Sequence, residues 1–258
     1  MLFVLSQRKG RRSAAGHPPA YPLRVPSKDV FKDTYPTTAL NWRPAYRVIP
    51  SRFPSIGLFE RVASPADFDA LYALEAMTNP RIRDEVGEIS LVPADERLFG
   101  PGSTCIMAAF THRNPQGSRF SDGSYGVFYC ARKRDTAIAE TRHHAALFMQ
   151  ATREPPMRLQ MRLYTVQAKG RAVDLRAASQ AEPRIVDPDH YSYAQRIGRT
   201  LRADGALGIV YPSVRHPGGT CLAALRTGLL SHCLHAAYLE YNWNGAAMDA
   251  VFEVNQLI

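Results

Sequence analysis

Alternation of apolar and polar positions is cleanest in MRLQMRLYTV (157–166). Met157, Leu159, Met161 and Leu163 share one face, and Arg158, Gln160 and Arg162 the other, which predicts a half-buried strand. Gly170 then permits a turn into AVDLR. Three other runs read as strands: AYRVIP (45–50), the aromatic-rich YGVFYCA (125–131) and the wholly apolar LGIVY (207–211). YLEYNW and DAVFEV add strands in the last third. The run CIMAAF (105–110) fits a buried strand or a helical turn equally.

Helical periodicity marks three further segments. Phe68, Leu71, Leu74 and Met77 recur on one face after a Ser64-Pro65-x-Asp67 start, and Asn79-Pro80 ends that helix. Asp135 is placed to cap a helix over 136–151. Asp187-Pro188 opens another, with Ala194, Ile197, Gly198 and Leu201 on one face and Gly205 closing it. Strands and helices mix without strict βαβ alternation, so the fold class is α+β. Residues 1–40, rich in Pro, Ser and basic residues, read as a mobile basic tail, and 41–258 as one domain.

Composition narrows the setting. At 258 residues and 45% hydrophobic the chain can bury a full core, and no apolar run approaches a membrane span. The start MLFVLSQRKGRRS has apolar residues before basic ones, the reverse of a secretory signal, so a cytoplasmic protein is expected. Cys105, Cys130, Cys221 and Cys233 form no CxxC pair and read as reduced. The net charge is +9, but residues 1–28 carry six basic and no acidic residues. Removing those six from the 32 leaves 26 basic against 23 acidic residues, so the body is only mildly basic.

Candidate chemistry concentrates between Gly117 and His144. A glycine-flanked loop carries Arg119, the next strand carries Tyr129, and the following helix carries Glu140. A guanidinium beside loop amides suits a phosphate, a tyrosine can stack a flat ring, and a carboxylate can steady a cation. Each has an ordinary reading too: an exposed turn arginine, a core tyrosine and a first-turn glutamate serving the helix dipole. Ser213, just past the strand LGIVY, sits where a sheet rim is expected. Glu140/His143/His144 and His232/Cys233/His235 match no zinc spacing, so no metal is expected.

Together these pieces resemble the RES domain family, named for its Arg, Glu and Ser. The matching segments are YRVIPSRFPSIGLFE (46–60), GSRFSDGSYGVFYCA (117–131), TAIAE (136–140) and IVYPSVR (209–215), in the family's order. The resemblance implies an ADP-ribosyltransferase-like fold with a mixed or antiparallel split sheet flanked by helices. It implies an NAD-degrading toxin of a RES–Xre type II toxin–antitoxin system, an NAD+ glycohydrolase (hydrolase) or NAD+ phosphorylase (transferase). NAD+ is then substrate and no cofactor is needed. The partner would be an Xre-like antitoxin, in a hetero-oligomer or beside a homodimer, with nucleic acid reached only through it and no membrane contact. By resemblance Glu140 is the family glutamate, catalytic through stabilising the oxocarbenium-like transition state, and Ser213 the family serine, catalytic and holding the nicotinamide–ribose end of NAD+. Arg119 is the loop arginine, and Tyr129 the strand tyrosine that orients nicotinamide. The first-strand arginine is Arg47 or Arg52, catalytic and pyrophosphate-binding. The loop reads GSRFSDG where many members have GGRWN. Two rivals stand beside this reading: a mono-ADP-ribosyltransferase acting on a host protein, and a non-enzymatic nucleic-acid-binding module suggested by the basic tail.

Overall fold

The structure, a computed structural model, describes residues 34–51 and 87–255. Its strands are β1 (Thr37–Pro50), β2 (Phe128–Ala131), β3 (Met157–Asp174), β4 (Gly208–Pro212), β5 (Thr220–Ala224), β6 (Leu230–Trp243) and β7 (Met248–Val254). The α-helices of the described residues are α1 (Ser103–Thr111), α2 (Arg134–Thr152), α3 (Ala178–Ala181) and α4 (Ser192–Ala203). The helix expected from Ser64 lies outside the described residues.

The sheet is mixed and split, and the fold is α+β. β2, β5 and β4 form one antiparallel group; β1, β3, β6 and β7 form another. The groups join at two narrow seams: Tyr46 opposite Ala131, and the parallel pairs Val173–Ile209 and Asp174–Val210. Each face buries its own apolar cluster. α1 packs one face through Ile106, Met107 and Phe110, against Phe128, Cys130 and Tyr164. α2 and α4 pack the other through Ala137, Met149, Ala194, Ile197 and Leu201, against Val48, Leu163, Ile209 and Tyr241.

Local sequence explains most of this, and the differences have local causes. CIMAAF is helical: Ile106, Met107 and Phe110 fall on one buried stripe at helical spacing. β1 opens at Thr37, inside the stretch read as tail, because the long β3 offers partners as far as Val173. β3 runs straight through Gly170, where a turn was expected; Leu40 pairs with it, and a side chain there would meet Leu229. β2 begins only at Phe128, where its ladder with β5 starts. Arg132 N still bonds Thr220 O at 2.9 Å, and the chain turns at Lys133, so α2 starts at Arg134. Asp135 is therefore a first-turn acid and not the cap. Asp187-Pro188 does not start α4, which begins at Ser192; Asp187 instead closes a tight turn on Asp189 N and His190 N. Among the described residues no helix is long and apolar enough to cross a membrane.

α4 carries its expected face: Ala194, Ile197, Gly198 and Leu201 are all buried. At Gly198 the helix backbone lies against the Phe120 backbone, and an added Cβ would stand 2.2 Å from Phe120 O. Gly198→Ala is expected to destabilise the fold by about 1–3 kcal/mol, outweighing alanine's gain of about 1 kcal/mol in helix propensity, since a backbone carbonyl cannot step aside. Urea denaturation of the two proteins measures this. A second expectation concerns the thiols. Burial pushes the Cys130 thiol up to about 12 and raises that of Cys221 as well. Both should stay unlabelled by iodoacetamide at neutral pH in the native chain and label once it is unfolded, as read by peptide mass.

Candidate active site at the turn after β4

The site is assembled where the second turn of α2 meets the turn following β4. Ala137 and the neighbouring Thr136 are buried, so the start of α2 is pressed onto the sheet and Glu140 is carried to its rim. The chain from Pro212 to Gly219 folds back on itself, with Ser213 N bonding Gly219 O and Gly219 N bonding His216 O. A Cβ at Gly219 would stand 2.7 Å from Thr136 Cγ2, so the absent side chain lets helix and turn approach. Thr136 Oγ1 and His216 Nδ1, 2.8 Å apart, tie the two elements again.

This contact fixes one carboxylate oxygen. Glu140 Oε1 accepts hydrogen bonds from Ser213 Oγ at 2.5 Å, Val214 N at 3.0 Å and Arg215 N at 3.3 Å. No described residue donates to Oε2. Ser213 Oγ in turn accepts from His216 N at 3.0 Å and Arg215 N at 3.3 Å, so one hydroxyl both holds the carboxylate and closes the turn. The pair Glu140 and Ser213, read from sequence as separate candidates, is brought into direct contact.

Arg119 and Tyr129 belong to the same face. The Tyr129 hydroxyl lies 2.8 Å from Ser118 Oγ and accepts from Phe120 N at 3.0 Å, so it pins the loop on both sides of Arg119. Burial raises its pKa, so the phenol stays neutral. Arg119 is only 8% exposed, donates to Asp187 O at 2.7 Å and lies 4.6 Å over the Tyr191 ring. The Glu140 carboxylate bears on His143 and His144, one turn along α2; burial lowers the pKa of both imidazoles and the Arg215 charge adds to it. A groove of about 880 Å³ runs along α2 from Thr141 and His144 to Phe148, bounded by Val48 and Met157.

Arg47 stands apart. β1 carries an extra residue between Trp42 and Ala45, where Pro44 has no N–H to give the ladder, and this bulge reverses the facing of all that follows. Leu40 and Trp42, then Ala45, pack the α1 cluster, while Tyr46 and Val48 pack the Glu140 side. Arg47 thus lies 4.3 Å over Phe128 and donates to Tyr129 O at 2.9 Å. Its charge is felt by Cys130 and Cys233. In this structure Arg47 braces the seam between β1 and β2 from the α1 face. Arg52 lies outside the described residues. Among the described residues no three His, Cys, Asp or Glu side chains converge as a metal site. Sequence reasoning missed Arg215 and Tyr191. Arg215 follows Ser213 by two residues, a spacing that could have singled it out; Tyr191 gave no sequence signal.

These features define a chain whose matched glutamate and serine form one hydrogen-bonded unit beside a loop arginine. The RES domain profile matches residues 96–244, which include Arg119, Glu140 and Ser213. The chain is 32% identical over 209 residues to the uncharacterized protein y4oC of Sinorhizobium fredii (strain NBRC 101917 / NGR234), covering 80% of this chain and 86% of that one. The chain belongs to the RES domain family. It is also similar to a chain in the crystal structure of the M. tuberculosis MbcT–MbcA toxin–antitoxin complex, with a TM-score of 0.45 and 13% identity over 81% of this chain and 88% of that one.

Ser213→Ala removes a charge-assisted bond and the turn's closing acceptor together. Unfolding free energy should fall by about 1.5–3 kcal/mol, while Ser213→Thr, which keeps the hydroxyl, should fall by less. Denaturant titration of the three proteins checks the order.

Proposed function

We propose that this protein is an NAD-consuming enzyme that cleaves the nicotinamide–ribose bond of NAD+, and that it acts as the toxin of a toxin–antitoxin pair. Membership of the RES family supports the class. The observation that carries the chemistry is the Glu140 carboxylate, held through Oε1 by Ser213 Oγ and two turn amides, with no described residue donating to Oε2.

Departure of nicotinamide builds positive charge on the ribose, as in glycoside cleavage. A carboxylate already oriented stabilises that charge without reorganising during the reaction. The donors on Oε1 fix the direction of Oε2, which faces the ribose and takes the developing charge or a ribose hydroxyl. Ser213 is the positioning residue for Glu140. Tyr129, with its hydroxyl committed to Ser118 and Phe120, holds the Arg119 loop. The guanidinium of Arg119 supplies charge for the pyrophosphate. The leaving group is a cationic ring that departs neutral, so the bond breaks without a proton donor to the leaving nitrogen. Water or phosphate then attacks the sugar carbon, giving ADP-ribose or its 1-phosphate. The partner is an antitoxin protein, and no cofactor is consumed.

The test is chromatography with mass detection of NAD+ incubated with the purified chain, with and without phosphate, beside Glu140→Gln. Wild type should release nicotinamide and the variant at least about a thousandfold less, in keeping with loss of a charge-stabilising group. Retained turnover in the variant would remove Glu140 from the mechanism. Intact NAD+ in every tube would favour transfer of ADP-ribose to a host protein, read as a mass-shifted target.

A further inference from the structure

Two arginines, Arg119 and Arg215, whose charges act on His144 together with that of Glu140, are both spent on one short segment. Arg119 Nη1 donates to Asp187 O at 2.7 Å, and its guanidinium lies 4.6 Å over the Tyr191 ring. Arg215 Nη2 donates to Pro188 O at 2.7 Å, with Asp189 Oδ1 at 3.9 Å. The segment is braced from within, since Asp187 Oδ1 accepts from Asp189 N at 2.9 Å and His190 N at 2.7 Å. Rigid elements flank it: the 3₁₀ turn Pro183–Val186 before and α4 after.

Arg119 is the unusual member. Only 8% of it is exposed, yet it makes no ion pair among the described residues; a neutral carbonyl and a ring are its partners. A buried cation so compensated is costly, and an anionic acceptor in place of the carbonyl would add the attraction of a full opposite charge. Asp187 O and the Tyr191 ring take up the contacts that an anion at Arg119 would need. Arg215 belongs to the same unit from the other side, because its backbone N already bonds Glu140 Oε1.

We propose that Arg215 joins Arg119 as the paired clamp for the substrate's pyrophosphate, and that Asp187–Tyr191 is a latch whose carbonyls hold both guanidiniums until that dianion displaces them. This rests on the NAD reading above and extends it to a residue and a motion. The exchange is one of like for better: two neutral acceptors leave, two charged ones replace them, and the freed carbonyls of an exposed turn return to water. Closure in the free protein lowers apparent affinity by the fraction of time the latch is shut.

Two probes separate the latch from the identity of the substrate: NAD+ with the full-length Glu140→Gln chain, and inorganic pyrophosphate with wild type. Binding is followed by calorimetry and the segment by hydrogen exchange. The expected result is binding of both, with amides of 187–192 exchanging severalfold faster when either is bound. Binding with those amides unchanged or slowed overturns the latch and leaves the NAD reading standing. Pyrophosphate opening the segment while NAD+ fails to bind supports the latch and removes the NAD reading. Absence of binding by both overturns the latch. Asp187→Ala, which removes the internal brace without touching either arginine, should tighten pyrophosphate by about fivefold, the equivalent of one hydrogen bond. Asp187→Asn keeps an acceptor oxygen and should leave affinity near wild type. Unchanged or weaker binding by Asp187→Ala overturns the proposal.

Discussion

The approach of α2 to the turn after β4 is the constraint on which the site depends. A charged carboxylate at the rim of a packed core must find donors, and Glu140 finds three within a turn 73–75 residues downstream. Those donors are available only because the turn is closed by Ser213 and because Gly219 leaves room for Thr136. Geometry and electrostatics therefore reinforce each other. The turn is shaped by the serine, the serine and two amides orient the glutamate, and the negative charge of the glutamate stabilises the very turn that holds it.

The split sheet supplies the setting. β2, β5 and β4 bring their ends to the site as one small unit, joined to the larger group through Tyr46–Ala131 and two parallel pairs. Such seams carry few ladder bonds, so side chains must brace them. Arg47 does this at the first seam by bonding Tyr129 O from the α1 face while the Tyr129 hydroxyl grips the Arg119 loop on the other. One residue of β2 thus has its backbone held from one side of the sheet and its side chain used on the other. An arginine can matter to this site without meeting the substrate.

Segments with strong local periodicity were legible in the sequence. The α4 face of Ala194, Ile197, Gly198 and Leu201 is buried as a unit, and the alternation from Met157 to Leu163 faces the α2 cluster as its pattern requires, apart from the exposed end at Met157. Beyond Leu163 the buried face of β3 changes: Tyr164, Val166 and Ala168 join the α1 cluster, while Thr165 and Gln167 are half-buried and Lys169 is exposed. That switch of face is set by tertiary packing, and the alternation before it does not announce it. The RES resemblance pointed to Glu140, Ser213, Arg119 and Tyr129; their contacts were not legible, since bonds such as Ser213 to Glu140 join residues far apart in the chain. The face of Arg47 was not legible for a sharper reason. Its face depends on a single extra residue at Pro44, and a shift of one position in a strand reverses every side chain after it.

The same logic explains why Arg215 and Tyr191 escaped notice. Tyr191 sits in no recognisable pattern, and Arg215, although two residues past Ser213, becomes informative only once the 187–191 segment is seen to run between the two arginines. An enzyme that binds a dianion needs guanidiniums in a site with little water, yet a dry, unpaired guanidinium is costly in the free protein. Neutral backbone carbonyls resolve that conflict. They are acceptors good enough to keep Arg119 and Arg215 ordered, and weak enough to yield to phosphate oxygens. A carboxylate in their place would hold the arginines more firmly and would compete with the ligand on equal terms. Asp187 is directed away from that role: its carboxylate is turned onto its own loop amides, and only its carbonyl is presented to Arg119.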